Sequence, residues 1–232
     1  MTYPHTEKGV FVSRPNRFLA WVDTGRGKEL CHVKNTGRLK ELLLPGAVVS
    51  LSVSDNPARK TRTDLVAVHH DGQWINIDSQ APNQVAAAYL PVLFAGVNRI
   101  QPEYRHGDSQ LDFYLEVADA QPVYVEVKGV TLASGDTALF PDAPTQRGVK
   151  HLHELTAIAQ AGGLACLLFV IQMHGVSRLC PNDLTHPAFG EALRAARAAG
   201  VMLHAVDCVA TADSLLPGMP VPVHVARIGA CE

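Results

Sequence analysis

Hydrophobic and polar positions change rhythm once along this chain, near residue 80. From Gly9 to Ile77, short runs rich in Val, Leu, Ile, Phe and Trp recur at 9–13, 17–23, 29–34, 47–53, 64–70 and 73–77, a pattern that favours strands. Between them lie Gly25-Arg26-Gly27, Asn35-Thr36-Gly37, Pro45-Gly46, Asn56-Pro57 and Asp71-Gly72. Each is a turn signal, because Gly and Asn tolerate positive φ and the proline ring fixes φ at a negative value suited to turns. Five or six strands in this space predict a small barrel. The polar stretch 78–83 is the expected boundary, with a barrel domain over residues 1–80 and a second domain over 81–232.

Beyond that boundary the period lengthens. Residues 84–94 predict a helix interrupted near Pro91, followed by strands at 111–117 and 123–131 and an amphipathic helix over 145–161. A buried strand at 164–171, a helix at 187–199 and a strand at 201–206 complete an α/β domain, with a mixed sheet flanked by helices. In Tyr124-Val125-Glu126-Val127-Lys128, period two puts Glu126 and Lys128 on one face and the valines on the other. One strand earlier, Asp112 opposes Leu111, Phe113 and Leu115. If the two strands form a hairpin across residues 118–122, Asp112, Glu126 and Lys128 converge.

Such a trio makes a poor core, because every buried charge needs a partner. It suits a catalytic centre better. Two carboxylates plus the Val127 carbonyl supply the hard oxygens that Mg²⁺ or Mn²⁺ takes, and Lys128 would orient the attacking water and offset phosphate charge. On spacing alone, an ordinary ion pair between strand charges is the commoner explanation. The next helix adds weight. At 100° per residue Arg147, Lys150, His151 and Glu154 share one face, opposite Val149, Leu152, Thr156 and Ala159, with Thr145 at the N-cap. That cationic face suits a phosphate backbone or is simply solvated.

Charge and composition narrow the classes. Of the 232 residues 47% are hydrophobic and 18% charged, which excludes disordered, collagenous and coiled-coil readings. The longest apolar stretch, 85–97, is broken by Pro91 and too short to span a membrane; the polar start predicts no secretion signal. Five widely spaced cysteines, without a C-x-x-C pair, predict a reducing cytoplasm. The eleven histidines show no metal-binding spacing. Residues 1–80 carry 11 Lys+Arg against 8 Asp+Glu, and the remainder 9 against 14. The barrel is therefore the better candidate for a polyanion. Its available cations are Arg14, Arg17, Arg38, Arg59, Lys60 and Arg62; Phe18, Trp21 and Trp74 stay unassigned, since barrel aromatics are usually core.

Several segments in one order carry a resemblance: RPNRFLA at 14–20, CHVKNTGRL at 31–39, LPG at 44–46, Arg59-Lys60, SQLDF at 109–113, YVEVKGVTL at 124–132 and FPDAPTQRGVKHL at 140–152. Over roughly Arg14 to Val223 the chain resembles the sugar fermentation stimulation protein A family. The resemblance implies an N-terminal OB-like barrel and a C-terminal mixed-sheet domain of the PD-(D/E)XK nuclease-like class. It implies DNA rather than RNA as partner, with Asp112, Glu126 and Lys128 as the acidic and lysine positions. Glu103 matches a family glutamate ahead of the first motif strand and is a candidate extra metal ligand. Gln110 stands where the family is expected to have arginine, and Leu111 rather than proline precedes Asp112.

The resulting expectation is a Mg²⁺- or Mn²⁺-dependent phosphodiesterase acting on nucleic acid, with Asp112, Glu126 and Lys128 catalytic. The metal would sit on Asp112, Glu126 and Glu103. Arg14, Arg17, Arg38, Arg59, Lys60, Arg147 and Lys150 would hold the backbone. The rival is a non-catalytic DNA-binding protein, such as a regulator of sugar metabolism genes. A homodimer would suit the cutting of two strands, though no interface is legible in the chain.

Overall fold

The computed structural model describes residues 1–35, 37–107 and 109–226; Thr36 of the second turn signal and Cys231 lie outside the described residues. Six strands build the first half: β1 (Thr6–Asn16), β2 (Leu19–Thr24), β3 (Gly27–Val33), β4 (Val48–Val53), β5 (Thr63–His70) and β6 (Gln73–Asn76). Their order is β3-β2-β1-β4-β5-β6, and a parallel pairing of β3 with β5, His32 to Asp64 and Val33 to Leu65, closes the first five into a barrel. This is an OB-type barrel. Closure removes the free edges that an open sheet would expose. Alternation drives it: Phe11, Ala20, Val22, Cys31, Val33, Val49, Leu51 and Leu65 all point inward and are buried.

The second half opens with α1 (Ala81–Leu93). The helix begins three residues before the periodicity indicates, because Pro82 occupies its first turn, where the missing N–H costs nothing. It also runs through Pro91 into its last turn rather than breaking there. The main sheet runs β15-β14-β12-β9-β8-β7, from β7 (Val97–His106), β8 (Ser109–Val117), β9 (Val123–Val130), β12 (Leu164–Ile171), β14 (Met202–Ala210) and β15 (Leu215–Pro220). Strands β9, β12 and β14 are parallel; β7, β8 and β15 join antiparallel. A small sheet of β10 (Leu132–Ser134), β11 (Thr137–Phe140) and β13 (Arg178–Pro181) lies among the connections. Helices α2 (Gln146–Gln160) and α3 (Pro187–Ala198) pack on each other.

Alternation on the central strands separates two cores. Val123, Val125 and Val127 of β9, with Cys166, Leu168 and Val170 of β12, pack against α1. Leu167, Phe169 and Ile171 of β12 face the other way, with Leu152, Leu155 and Ile158 of α2 and Phe189 of α3. That second core is continuous with the barrel interior. Tyr124, Glu126 and Lys128 are therefore on the α2 side of β9, as the period-two reading requires.

A buried polar clasp ties barrel to sheet. Gln172 Nε2 donates to Asn76 Oδ1 (2.9 Å) and to the Asp78 carbonyl (3.0 Å), while Asn76 donates to Tyr3, whose hydroxyl donates to Asp78. Gly129, directly after Lys128, lets this clasp approach: a Cβ there would lie 2.6 Å from both Gln172 Oε1 and Pro82 Cγ. Gly129→Ala should therefore lower stability by about 1–3 kcal/mol, through overpacking and displacement of Gln172. Denaturant titration checks this, with an unchanged midpoint as the contrary result.

Candidate active site and nucleic-acid interface

The site forms where β8 leaves β9. Their ladder pairs Leu115 with Val123, Tyr114 with Tyr124 and Phe113 with Val125, and goes no further. At the next step the Asp112 side chain takes over, its Oδ2 accepting the Val127 N–H at 2.8 Å. Oδ1 accepts from Asn83 Nδ2 of α1 at 2.9 Å. Phe113 belongs to the α1 core and Leu111 to the α2 core, so β8 changes faces across Asp112. Across the β7–β8 ladder, Pro102 pairs with Phe113 and Tyr104 with Leu111, which leaves Glu103 opposite Asp112. Glu103 has a φ of 51°. A non-glycine residue in the left-handed region is costly and marks functional sites more often than ordinary strands.

Glu126 is the buried centre, 2% exposed. Its Oε1 receives Lys128 Nζ and His151 Nδ1, both in close contact. Arg147 Nε donates to His151 Nε2 at 3.3 Å, which leaves Nδ1 to carry the ring proton and donate to Glu126. Lys128 Nζ lies 3.3 Å from the same Nδ1. Glu126 Oε2 is buried without any hydrogen-bond partner. Burial acts to raise the Glu126 carboxyl, but the hydrogen bond from His151 and the charge of Lys128 outweigh it and hold the group below its ordinary value. Asp112 moves the other way: burial first, then the charge of Glu126, push it up against the help of Val127, Asn83 and Lys128.

This donor set fits a hard divalent cation. Oε2 is a carboxylate oxygen stripped of water and aimed at no proton, and Asp112 is held close enough to feel its charge. Among the described residues no three His, Cys, Asp and Glu side chains gather in a way that could hold a metal. Glu103, exposed on β7, is thus not brought into a ligand trio with Asp112 and Glu126. The fit is to two carboxylates and main-chain oxygen.

The predicted cations divide into free and engaged. Arg14 donates four hydrogen bonds to the carbonyls of Arg17, Asn35, Gly37 and Arg38, at 2.6–2.9 Å, and so builds the loop rather than projecting from it. Arg59 is bidentate on Asp64, and Arg62 pairs with Glu7 and Glu29. Lys60 is exposed. Arg17 and Arg38, with Lys40, line a cleft of about 840 Å³ between the barrel loop and residues Asp142 to Thr145 at the start of α2. Thr145 caps that helix, accepting the Gly148 N–H at 3.0 Å. On α2 the anticipated cationic stripe splits. Lys150 is solvent-exposed and sits 3.5 Å from Glu154, Arg147 leans on His151, and His151 itself is buried on the inner face.

The sequence places His151 only on the cationic face of α2, and gives no role to Asn83 or Lys40. The four-residue spacing of His151 from Arg147 is the sequence signal for the contact between the two on α2. Nothing in the sequence pointed to Asn83, which reaches Asp112 across 29 residues.

Similarity to known proteins agrees with this architecture. The family model described as the sugar fermentation stimulation protein RE domain matches residues 80–214, and that of the SfsA N-terminal OB domain matches 12–77. A sugar fermentation stimulation protein homolog of Ruminiclostridium cellulolyticum is 46% identical over 211 residues, covering 90% of this chain and 93% of its own. One from Desulfitobacterium hafniense strain Y51 is 48% identical, covering 98% and 100%. The solved structure of Pyrococcus furiosus SfsA in complex with Ca²⁺ is 28% identical, with a TM-score of 0.86 over 97% of this chain and 98% of that one.

One consequence is thermodynamic. A carboxyl whose value is raised by folding opposes the native state once the pH passes its unfolded value, so an ionised Asp112 weakens the metal-free protein at neutral pH. Asp112→Asn should raise the thermal midpoint in EDTA at pH 7, and the gain should vanish below about pH 4, where the unfolded aspartate is protonated too. A variant less stable at pH 7 would contradict this.

Proposed function

The chain belongs to the sugar fermentation stimulation protein family, and from that premise we propose that it is a divalent-metal-dependent phosphodiesterase acting on nucleic acid, DNA in preference to RNA. The observation that carries the reading is Glu126 Oε2, a buried carboxylate oxygen without a proton donor, beside Asp112 and Lys128. A buried acceptor left unsatisfied is costly, and a cation satisfies it. The Ca²⁺ of the Pyrococcus furiosus relative supports a divalent site, since Ca²⁺ takes oxygen ligands of the same kind.

Asp112, Glu126 and the carbonyl of Val127 would hold Mg²⁺ or Mn²⁺, and Glu103, exposed on the neighbouring strand, stays outside that set. When bound, the ion lowers the pKa of a coordinated water and offsets charge on the phosphate. The chain's own groups do the rest. Lys128 holds positive charge against the phosphate and positions the water. His151, fixed by Arg147, keeps Glu126 Oε1 occupied so that Oε2 stays free for the ion. Arg17, Arg38 and Lys40 track the strand through the cleft, and the free amides of the first turn of α2 add to the attraction for phosphate.

The absence of a three-side-chain ligand cluster among the described residues favours one rival, a DNA-binding regulator in which the acidic centre is structural. Cleavage separates the two. Labelled single- and double-stranded DNA and RNA, incubated with Mg²⁺, Mn²⁺ or EDTA, should be cut only with metal. Lys128→Ala should lower the rate by at least about 100-fold while leaving binding largely intact. Salt-sensitive binding with no cleavage in any metal would transfer the conclusion to the regulator.

The cleft makes a separate prediction. Arg17→Ala and Arg38→Ala should each reduce the slope of log K against log salt by about one for duplex DNA, whereas Arg59→Ala should act mainly by destabilising the Asp64 cluster. Titrations at several salt concentrations, with a melting curve for each variant, test both halves.

A further inference from the structure

A second cavity, of about 430 Å³, adjoins the acidic centre on the side away from the barrel cleft. It lies between α2, β9 and the turn end of the β7–β8 hairpin, and none of the roles assigned above uses it. One wall is aromatic, from Tyr124 and His106, whose rings meet edge-on at 4.9 Å. Leu111 and Ile158 make it apolar, and Ser109 and Glu154 add polar atoms. Behind Tyr124 stand Tyr104 and Tyr114, stacked on each other at 4.3 Å and set against Tyr124 at 5.9 and 5.3 Å. This packing holds the Tyr124 ring in place.

Glu154 gives the cavity its chemistry. Its Oε1 accepts from Ser109 Oγ and lies 3.5 Å from Lys150 Nζ, whereas Oε2 is buried with no partner. Besides Glu126, Glu154 is the only carboxylate with such an oxygen among the described residues. Oε2 is enclosed in the cavity wall, so an incoming donor reaches it through a turn of the Glu154 side chain, which lines the cavity.

Position then specifies the occupant. Tyr124 precedes Glu126 by two residues on the same face of β9, about 7 Å along the strand. Glu154 follows His151 by three residues, about one turn of α2. The cavity is thus one short step from the carboxylates on both elements that build the centre. A flat, largely apolar group with an N–H on its edge, tethered beside a phosphate, is a nucleobase. We propose that this cavity receives an unpaired nucleobase of the substrate strand, with Glu154 Oε2 accepting its amino N–H and the Tyr124 and His106 rings lining its face.

The inference rests on the nucleic-acid reading above and sharpens it in two ways. A base can enter only after leaving its stack, so the preferred substrate is single-stranded or carries an extruded nucleotide. A carboxylate acceptor favours adenine, cytosine and guanine, which carry amino groups. It disfavours thymine and uracil, whose single ring N–H is flanked by two carbonyls that repel it.

Fluorescence anisotropy with labelled oligo(dA), oligo(dC) and oligo(dT), in EDTA to prevent cleavage, tests the proposal. The wild-type protein should bind oligo(dA) and oligo(dC) about ten-fold more tightly than oligo(dT), the effect expected of one charge-assisted hydrogen bond. Glu154→Gln should abolish most of that difference, because an amide both donates and accepts. Ala157→Phe, which fills the cavity from an exposed helix position, should weaken oligo(dA) and oligo(dC) and leave the salt-dependent binding of oligo(dT). Equal affinities in the wild type, or a preference unchanged in both variants, overturns the base pocket alone. No salt-dependent binding of any oligonucleotide overturns the nucleic-acid reading and the pocket with it.

Discussion

An ionised carboxylate at Glu126, almost wholly out of water, is the constraint on which this molecule depends. Removing such a group from solvent costs several kcal/mol unless donors replace the lost hydration. The chain supplies them from two elements: Lys128 two residues along the same strand, and His151 from a helix that begins twenty residues later. That helix must then sit over β9 in one rotation and at one depth. Thr145 sets where it starts. Gly148 lets it pack closely on α3, since a Cβ there would lie 2.9 Å from Thr145 Cγ2 and 3.2 Å from Phe189.

The same economy governs Asp112. Its carboxylate replaces a backbone acceptor in the β8–β9 ladder, so the point where two strands separate is also the point where a charge is fixed. Opposing pressures act on the two acids. Glu126 is held ionised by its donors, while Asp112 is pushed toward the neutral form by burial and by Glu126. Two neighbouring acids pressed in opposite directions by burial and by their partners are what functional centres commonly show.

Much of this was legible in the sequence, for identifiable reasons. The barrel strands announce themselves because their inward residues alternate with exposed ones and end at Gly, Pro or Asn turns. The Glu126–Lys128 face follows from period two alone. The edges were not legible. Strand β7, with VNRIQPEYRH, is mostly exposed and contains a proline, so β8 and not its own pattern makes it a strand. The short strands β10, β11 and β13 likewise exist through pairing across distant segments. Among site residues, position in sequence identified charge but not engagement. Arg14, Arg17 and Arg38 read alike in the chain, yet Arg14 is consumed by four carbonyls. Only the fold distinguishes a guanidinium that builds a loop from one that the loop displays.

The shared interior of the barrel and the α2–α3 layer has a mechanical corollary. Phe11 and Leu51 of the barrel and Leu152 and Phe189 of the helices are parts of one continuous apolar mass, and the Gln172 clasp crosses the same junction. Two jaws joined through a common interior cannot swing as hinged modules do. On the proposed nucleic-acid reading, the gap between them would act as a gauge of set width, and accommodation would fall to the flexibility of the strand itself.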